Sequence, residues 1–248
     1  MLVGEGESSK IVYNSLSKDF DIKMVIEDTA ISKKTFLKRR VKKIGYLKVF
    51  GQILFMIYNK FLFKKSKNRI DLIKKQNGLT SDLYPKKVFK KVTSINNQEV
   101  IGVLLKNKPD IVIVNGTRII SKKVLNAVDA VFINTHVGIT PEYRGVHGGY
   151  WALVNNDHDN CGVTVHLVDE GIDTGGVLYQ DIIKTCSLDN FNTYPYLQIS
   201  KAIPLLKTAI EDVMKGTVKI KKKADSISML YSHPTLLEYF INRVKGVQ

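Results

Sequence analysis

Residues 131–180 constrain this chain more tightly than any other stretch. Ala130, Val131, Phe132 and Ile133 form an apolar run that reads as a buried strand. That strand delivers Asn134 and His136, two residues apart, at its C-terminal end. In open α/β sheets this is the end at which ligands bind. A loop containing Gly138, Pro141, Arg144 and Gly149 follows, and a second predicted strand spans 162–168. It runs into Asp169, Glu170, Gly171, Ile172, Asp173, Thr174, Gly175 and Gly176, a loop with three carboxylates and three glycines that permit tight turns. An amide, an imidazole and a carboxylate on two neighbouring strand ends suit acyl transfer. The amide and imidazole can stabilise an oxyanion, and a carboxylate can orient and charge the imidazole.

The rest of the chain supplies the elements of an α/β sheet. Residues 1–4 read as a first strand, and Ser8 or Ser9 could cap a helix over 10–16. The turn at Gly4, Glu5 and Gly6 resembles a dinucleotide phosphate turn too weakly to predict dinucleotide binding. Further strands are expected at 22–26, 88–92 and 110–114, with a helix over 97–106 and a short one after Ser121. A helix over 150–154 is expected after the Arg144 loop, and an amphipathic one over 197–214, kinked or started by Pro204 and ended by Gly216. Thr235 should cap a last helix over 236–244, after a basic, strand-like piece. Asp157, His158 and Asp159 read as a solvated turn rather than a metal site, and no metal is expected. His166, in mid-strand, reads as a packed structural histidine, and His147 as a contact for a substrate or a surface residue.

The motif Asn134-Thr135-His136, then Pro141, Tyr143, Arg144 and Gly145, then GVTVHLVDEGIDTGG, resembles the formyltransferase family that uses N10-formyltetrahydrofolate. The resemblance is strong over 109–180 and faint on either side; Val137 stands where the family often has proline. It implies a doubly wound, mostly parallel, Rossmann-like α/β sheet. It places the catalytic asparagine, histidine and aspartate on Asn134, His136 and Asp173. It also implies a pterin held by the segment of Arg118, Ile119 and Ile120, largely through backbone groups, with Asp169, Glu170 and Gly171 beside the folate. The acceptor substrate is expected beside Gly4 and Glu5 of the loop after the first strand, with Tyr143, Arg144, Gly145 and His147 opposite.

Within that resemblance the acceptor is chosen by length and charge. The domain is read as 1–216, with a basic helical insertion over 33–91 and a short C-terminal extension over 217–248. Methionyl-tRNA formyltransferases carry a sizeable C-terminal domain that this extension does not match, and glycinamide ribonucleotide formyltransferase lacks the insertion. The expectation is therefore a sugar N-formyltransferase acting on a nucleotide-linked amino sugar such as dTDP-4-amino-4,6-dideoxyglucose, for surface polysaccharide. Methionyl-tRNA, glycinamide ribonucleotide and a non-catalytic RNA- or membrane-binding protein are the alternatives.

Net charge of +15 and a pI near 9.6 favour anionic partners, although solvated lysines alone account for such a balance. Cys161 and Cys186 make no disulfide framework, and Met1-Leu2-Val3 enters a strand without a leader-like pattern, so a cytoplasmic protein is expected. The apolar run at 49–63 is too short to span a bilayer and is broken by Gln52, Asn59 and Lys60. It is expected to fold against the domain or a second subunit, with a membrane surface or an electrostatic funnel for a diphosphate as the alternatives, and no nucleic-acid partner is expected.

Overall fold

Short β-branched runs alternating with amphipathic helices leave few solutions besides a parallel sheet covered on both faces. The computed structural model describes residues 1–29, 32–221 and 227–247. In chain order the elements are β1 (Leu2–Gly4), α1 (Glu7–Leu16), β2 (Val25–Asp28), α2 (Lys33–Ile44), α3 (Tyr46–Gln76), β3 (Phe89–Val92), α4 (Gln98–Asn107), β4 (Ile111–Asn115) and α5 (Lys122–Leu125). They continue with β5 (Val131–His136), β6 (Tyr143–Gly145), α6 (Gly148–Val154), β7 (Gly162–Leu167), β8 (Val177–Ile182), α7 (Tyr194–Lys215), β9 (Met229–Tyr231) and α8 (Leu236–Val244).

Seven strands form one sheet in the order β3-β2-β1-β4-β5-β7-β8. The first five are parallel, and β7 runs antiparallel to both β5 and β8. This is the expected doubly wound, mostly parallel sheet. Alternation along the strands divides the core. Val112 and Phe132 face the layer of α4 and α5, with Val100 and Val124. Ile113 and Ile133 face α1 and α7, with Leu16 and Leu206. The order reverses between β1 and β4, which opens a crevice at their carboxyl ends. Gly4 closes the base of that crevice: a Cβ there would lie 2.0 Å from the Gly116 carbonyl oxygen, so a side chain would force the two strand ends apart.

Several boundaries differ from the sequence expectation. β2 begins at Val25 rather than at 22. α1 begins at Glu7 with Gly6 at its N-cap, and neither serine caps it. Ser8 and Ser9 instead accept hydrogen bonds from Asn115 Nδ2 at 3.3 and 3.1 Å, because their side of the helix faces the crevice. α7 runs through Pro204 without ending. Pro204 lies on the solvent side, while Ile199, Ala202, Ile203 and Leu206 are buried, so packing outweighs the roughly 3 kcal/mol an interior proline costs.

The basic segment is two helices, α2 and the 31-residue α3, parted at Gly45, where φ is 81°. α3 folds against the domain along one stripe: Val49, Gln52, Phe55, Ser66, Ile70 and Ile73 are buried. Phe55 packs between Phe191 and Tyr239, with ring centroids 4.9 and 5.0 Å away. Asp189, fully buried, receives Arg69 Nε at 2.8 Å and ties the far half of α3 to the loop before α7. The other side of α3 does not follow the expectation for 49–63: Phe50, Ile57 and Phe61 are exposed. At 3.6 residues per turn a single neighbour can cover only one stripe of a helix.

The C-terminal segment closes over the same region. β9 pairs with β6, and α8, which opens with a Thr235–Glu238 capping box, packs on α3. Of the basic strand-like piece after Gly216, Lys221 bridges to Val177, and 222–226 lie outside the described residues. No described helix is long and apolar enough to cross a membrane.

The two sides of α3 should be separable by mutation. Phe55→Ala should cost about 3–5 kcal/mol of unfolding free energy, and Phe50→Ala less than about 0.5 kcal/mol. Urea denaturation at constant m-value reads both; equal costs would mean that α3 is packed differently.

Candidate active site

β5 and β7 build the site. Their antiparallel register sets Asn134 opposite His166 and His136 opposite Thr164, so side chains from both strands meet. The loop after β7 then brings Asp173 over the same point.

His136 is buried between two oxygen atoms. Its Nε2 lies 2.7 Å from the Tyr143 carbonyl oxygen and its Nδ1 lies 3.2 Å from Asp173 Oδ2. A carbonyl and a carboxylate are both acceptors, so a neutral ring, with one N–H, can donate to only one of them at a time. Burial pulls the His136 pKa below the ordinary histidine value, against the opposing pull of Asp173 and the Tyr143 carbonyl. For Asp173, burial alone would raise the pKa. The His166 contact, the charge of His136 and the Gly145 N–H outweigh it and hold the carboxyl below its usual range. Both shifts run downward: burial works against a charge on the ring, and the surrounding donors keep the charge on the carboxylate.

Asp173 itself sits at φ 51°, a left-handed conformation that non-glycine residues adopt at a cost of about 1–3 kcal/mol, and Gly145 N–H donates to its Oδ2 at 3.0 Å. Gly145 is at φ 96°, and a Cβ there would meet the Tyr231 carbonyl oxygen at 2.4 Å. Glycine at 145 is thus what lets β6, β9 and the Asp173 carboxylate approach one another.

His166 is the residue at this centre that sequence reasoning missed. It is buried, as expected of a packed histidine, but it faces the site. Its Nδ1 lies 2.6 Å from the Leu167 carbonyl oxygen, and its Nε2 lies 3.1 Å from Asn134 Nδ2. The same nitrogen is 3.6 Å from Asp173 Oδ1. His166 thereby sets which way the Asn134 amide is turned. The available signal was cross-strand pairing: a strand ending in the carboxylate loop must return alongside the one ending in Asn134.

The remaining predicted residues fall around this centre. Tyr143 is buried, and its hydroxyl donates to Asp157 at 2.8 Å, so Asp157 is an anchor for β6 rather than part of a solvated turn. Arg144 Nη1 donates to the Ile172 carbonyl at 3.1 Å, next to Asp173, and so braces the carboxylate loop. His147, at φ 58°, packs tilted against Phe191 with ring centroids 4.2 Å apart and shares a hydrogen bond with His233 at 2.9 Å. It lines a cleft of about 270 Å³ with Glu7, Ser8, Asn59, Phe63 and Phe191. Glu5 pairs with Lys91 and Glu7 with Lys74, each at 2.5 Å. Asn115 links this cleft to the β5 strand end, accepting from Thr135 Oγ1 at 3.0 Å and donating to Ser8.

On the opposite side two segments are held from behind. Arg118 is spent on Asp28 at 2.6 Å and the Thr29 carbonyl at 2.7 Å. Asn96 receives Ser121 N–H and donates to the Ile119 carbonyl, at 2.8 and 2.9 Å, while Ile120 is buried and Ile119 exposed. Asp169 accepts from Gly171 N–H and Thr174 Oγ1, and Glu170 pairs with Lys122 at 2.8 Å, which joins the two segments. A rigid backbone edge of this kind suits a flat heterocycle held by main-chain groups. Among the described residues no cluster of His, Cys, Asp and Glu is placed to hold a metal ion.

The formyl transferase family model matches residues 34–195, which include Asn134, His136 and Asp173. The chain belongs to the formyl transferase family. Among curated relatives, a methionyl-tRNA formyltransferase from Finegoldia magna is 41% identical over 98 residues, 39% of this chain and 30% of that protein. The chain spans less than half the length of the first curated relatives it matches. Among solved structures, a sugar N-formyltransferase from Shewanella superposes with TM-score 0.53 at 18% identity over 91% of this chain and 73% of that one. An N-formyltransferase from Helicobacter canadensis, in complex with folinic acid and dTDP-3-aminofucose, superposes with TM-score 0.51 at 17% identity, over 93% and 69%. This formyl transferase is thus similar in sequence to methionyl-tRNA formyltransferases and in fold to a sugar N-formyltransferase.

Burial lowers the pKa of His147 to about 3 and of His233 to about 4, from the ordinary histidine value of 6.5. Below 6.5 the unfolded chain takes up protons that the folded pair refuses, so this contribution to stability is lost as pH falls from 6.5 towards 4. Thermal unfolding across that window should show the loss, and His233→Asn should flatten it. An unchanged slope would mean that the pair is not buried.

Proposed function

We propose that this formyl transferase moves a formyl group from N10-formyltetrahydrofolate to the amine of a nucleotide-linked amino sugar, in the service of surface polysaccharide. The observation that carries the reading is the convergence of Asn134, His136 and Asp173 at the β5 carboxyl end, between the cleft of Ser8 and His147 and the braced segments at Ile119 and Asp169. The fold neighbours named as sugar N-formyltransferases support the sugar. The curated relatives and the basic surface support methionyl-tRNA as the second reading.

The folate supplies the activated formyl group. On this reading its pterin lies along the backbone of Arg118, Ile119 and Ile120, beside Asp169, Glu170 and Gly171. The acceptor amine enters from the side of Gly4, Glu5, Gly145 and His147, with Tyr143 and Arg144 holding the loop that meets it. The bond from the amine nitrogen to the formyl carbon forms while the bond from that carbon to the donor nitrogen breaks. Asn134, turned by His166, donates an N–H to the formyl oxygen as charge develops there. His136 takes its place beside Asn134 as a donor to the developing oxyanion and keeps its proton, while Asp173 holds the ring in place and relays the amine's proton to the leaving nitrogen, so one proton leaves the amine and one reaches the donor nitrogen. Nε2 lies against the Tyr143 carbonyl, so that contact must break before Nε2 serves the formyl oxygen.

Asn134→Ala should lower turnover on the order of a hundredfold or more, with His136→Ala and Asp173→Ala comparable and the double variants far from additive. His166→Ala should lower kcat less than Asn134→Ala and leave donor KM nearly unchanged. Near-normal turnover in Asn134→Ala or His136→Ala would overturn the mechanism.

The acceptor is tested by measuring formyl transfer to dTDP- and UDP-linked amino sugars and to methionyl-tRNA across a salt series. Transfer to an amino-sugar nucleotide with mild salt dependence is expected. Transfer to methionyl-tRNA alone, falling steeply with salt, would replace the sugar with tRNA.

A further inference from the structure

We infer that the outer face of α3 and α8 docks on an anionic lipid bilayer. Tyr46, Leu47, Phe50, Ile57 and Phe61 recur at helical spacing along α3, on the side opposite Phe55, Ile70 and Ile73. They are exposed, Leu47 to 90%. On α8 the outward residues Leu237, Phe240, Ile241 and Val244 are all apolar and exposed, Val244 to 90%. The two faces meet where Tyr58 packs on Phe240 with ring centroids 5.2 Å apart, so they form one surface. A contiguous apolar patch on two adjacent helices marks an interaction site.

Charge identifies what covers it. The patch is bordered by exposed Lys38, Arg39, Lys42 and Lys43 on α2, by Lys48, Lys60, Lys64 and Lys65 on α3, and by Lys245 after α8. On the three helices the carboxylates are Asp71 and Glu238, and Glu238 is engaged by Lys48 at 3.8 Å. A second copy laid face to face would bring this basic rim against itself. A nucleic acid would match the rim but leave the apolar centre without a counterpart. An anionic membrane surface answers both: headgroups take the lysines, and the boundary of the acyl chains takes Phe50, Ile57 and Phe61. The helix lies on the bilayer rather than across it, because its opposite stripe is committed to the domain core. Docking also fixes the inner side of α3, which gives Asn59 and Phe63 to the cleft beside the site.

The test is co-sedimentation of the full chain with vesicles of phosphatidylcholine alone or mixed with phosphatidylglycerol, alongside sedimentation equilibrium without lipid. The expected result is a monomer that pellets with the anionic vesicles and not with the neutral ones. Lys64→Glu with Lys65→Glu should lower partitioning roughly fivefold or more for each charge reversed. Phe50→Ser with Ile57→Ser and Phe61→Ser should abolish pelleting while leaving Tm and turnover unchanged. Three outcomes would overturn the proposal: no pelleting with anionic vesicles, pelleting indifferent to the apolar substitutions, or a lipid-free dimer that those substitutions split into monomers.

Discussion

The contact on which the rest of the site depends is the imidazole of His136 held between the Tyr143 carbonyl and the Asp173 carboxylate. Each neighbour needs its own support. Tyr143 is held by Asp157 and by the pairing of β6 with β9. Asp173 is held by Gly145 N–H, at a backbone angle only a constrained loop sustains. Burial is what makes the contact chemically useful. It works against the ring's charge, while the carboxylate works to keep it.

The same loop explains why the C-terminal segment matters to the site although it supplies none of the three central residues. β9 lies against Arg144 and Gly145, His233 meets His147, and the Trp151 indole N–H donates to the Ser232 carbonyl at 2.9 Å. α3 is drawn into this arrangement through Gln52, whose amide donates to the His233 carbonyl at 2.6 Å, and through the aromatic cluster of Phe55, Phe191 and Tyr239. The basic helices and the C-terminal segment are therefore walls of one structure. Its inner surface shapes the approach to the site, and its outer surface is apolar and positively rimmed.

Much of this was legible in the chain. The apolar runs and their turn residues predicted the sheet, because a strand buried on both faces must be apolar at every position and interrupted where it turns. Asn134, His136 and Asp173 were legible because each stands at a strand end or in a glycine-bearing loop beyond one. Thr235 was legible as a cap, since a hydroxyl three residues before a glutamate satisfies two helix-end amides locally. Pro204 misled because its local cost is real, but burial of its neighbours exceeds it. Ser8 and Ser9 misled because a cap and a crevice contact look alike until Asn115 is placed.

The sequence by itself determined the layer architecture and the chemical groups at the strand ends, since both follow from periodicity and short-range spacing. The tertiary structure alone decided the role of His166, the turning of Arg144 and Arg118 towards backbone carbonyls, and the uncovered side of α3. Each of these rests on contacts between residues distant in the chain. An isolated periodicity says that a helix has an apolar side, but not how many neighbours the fold will bring to cover it.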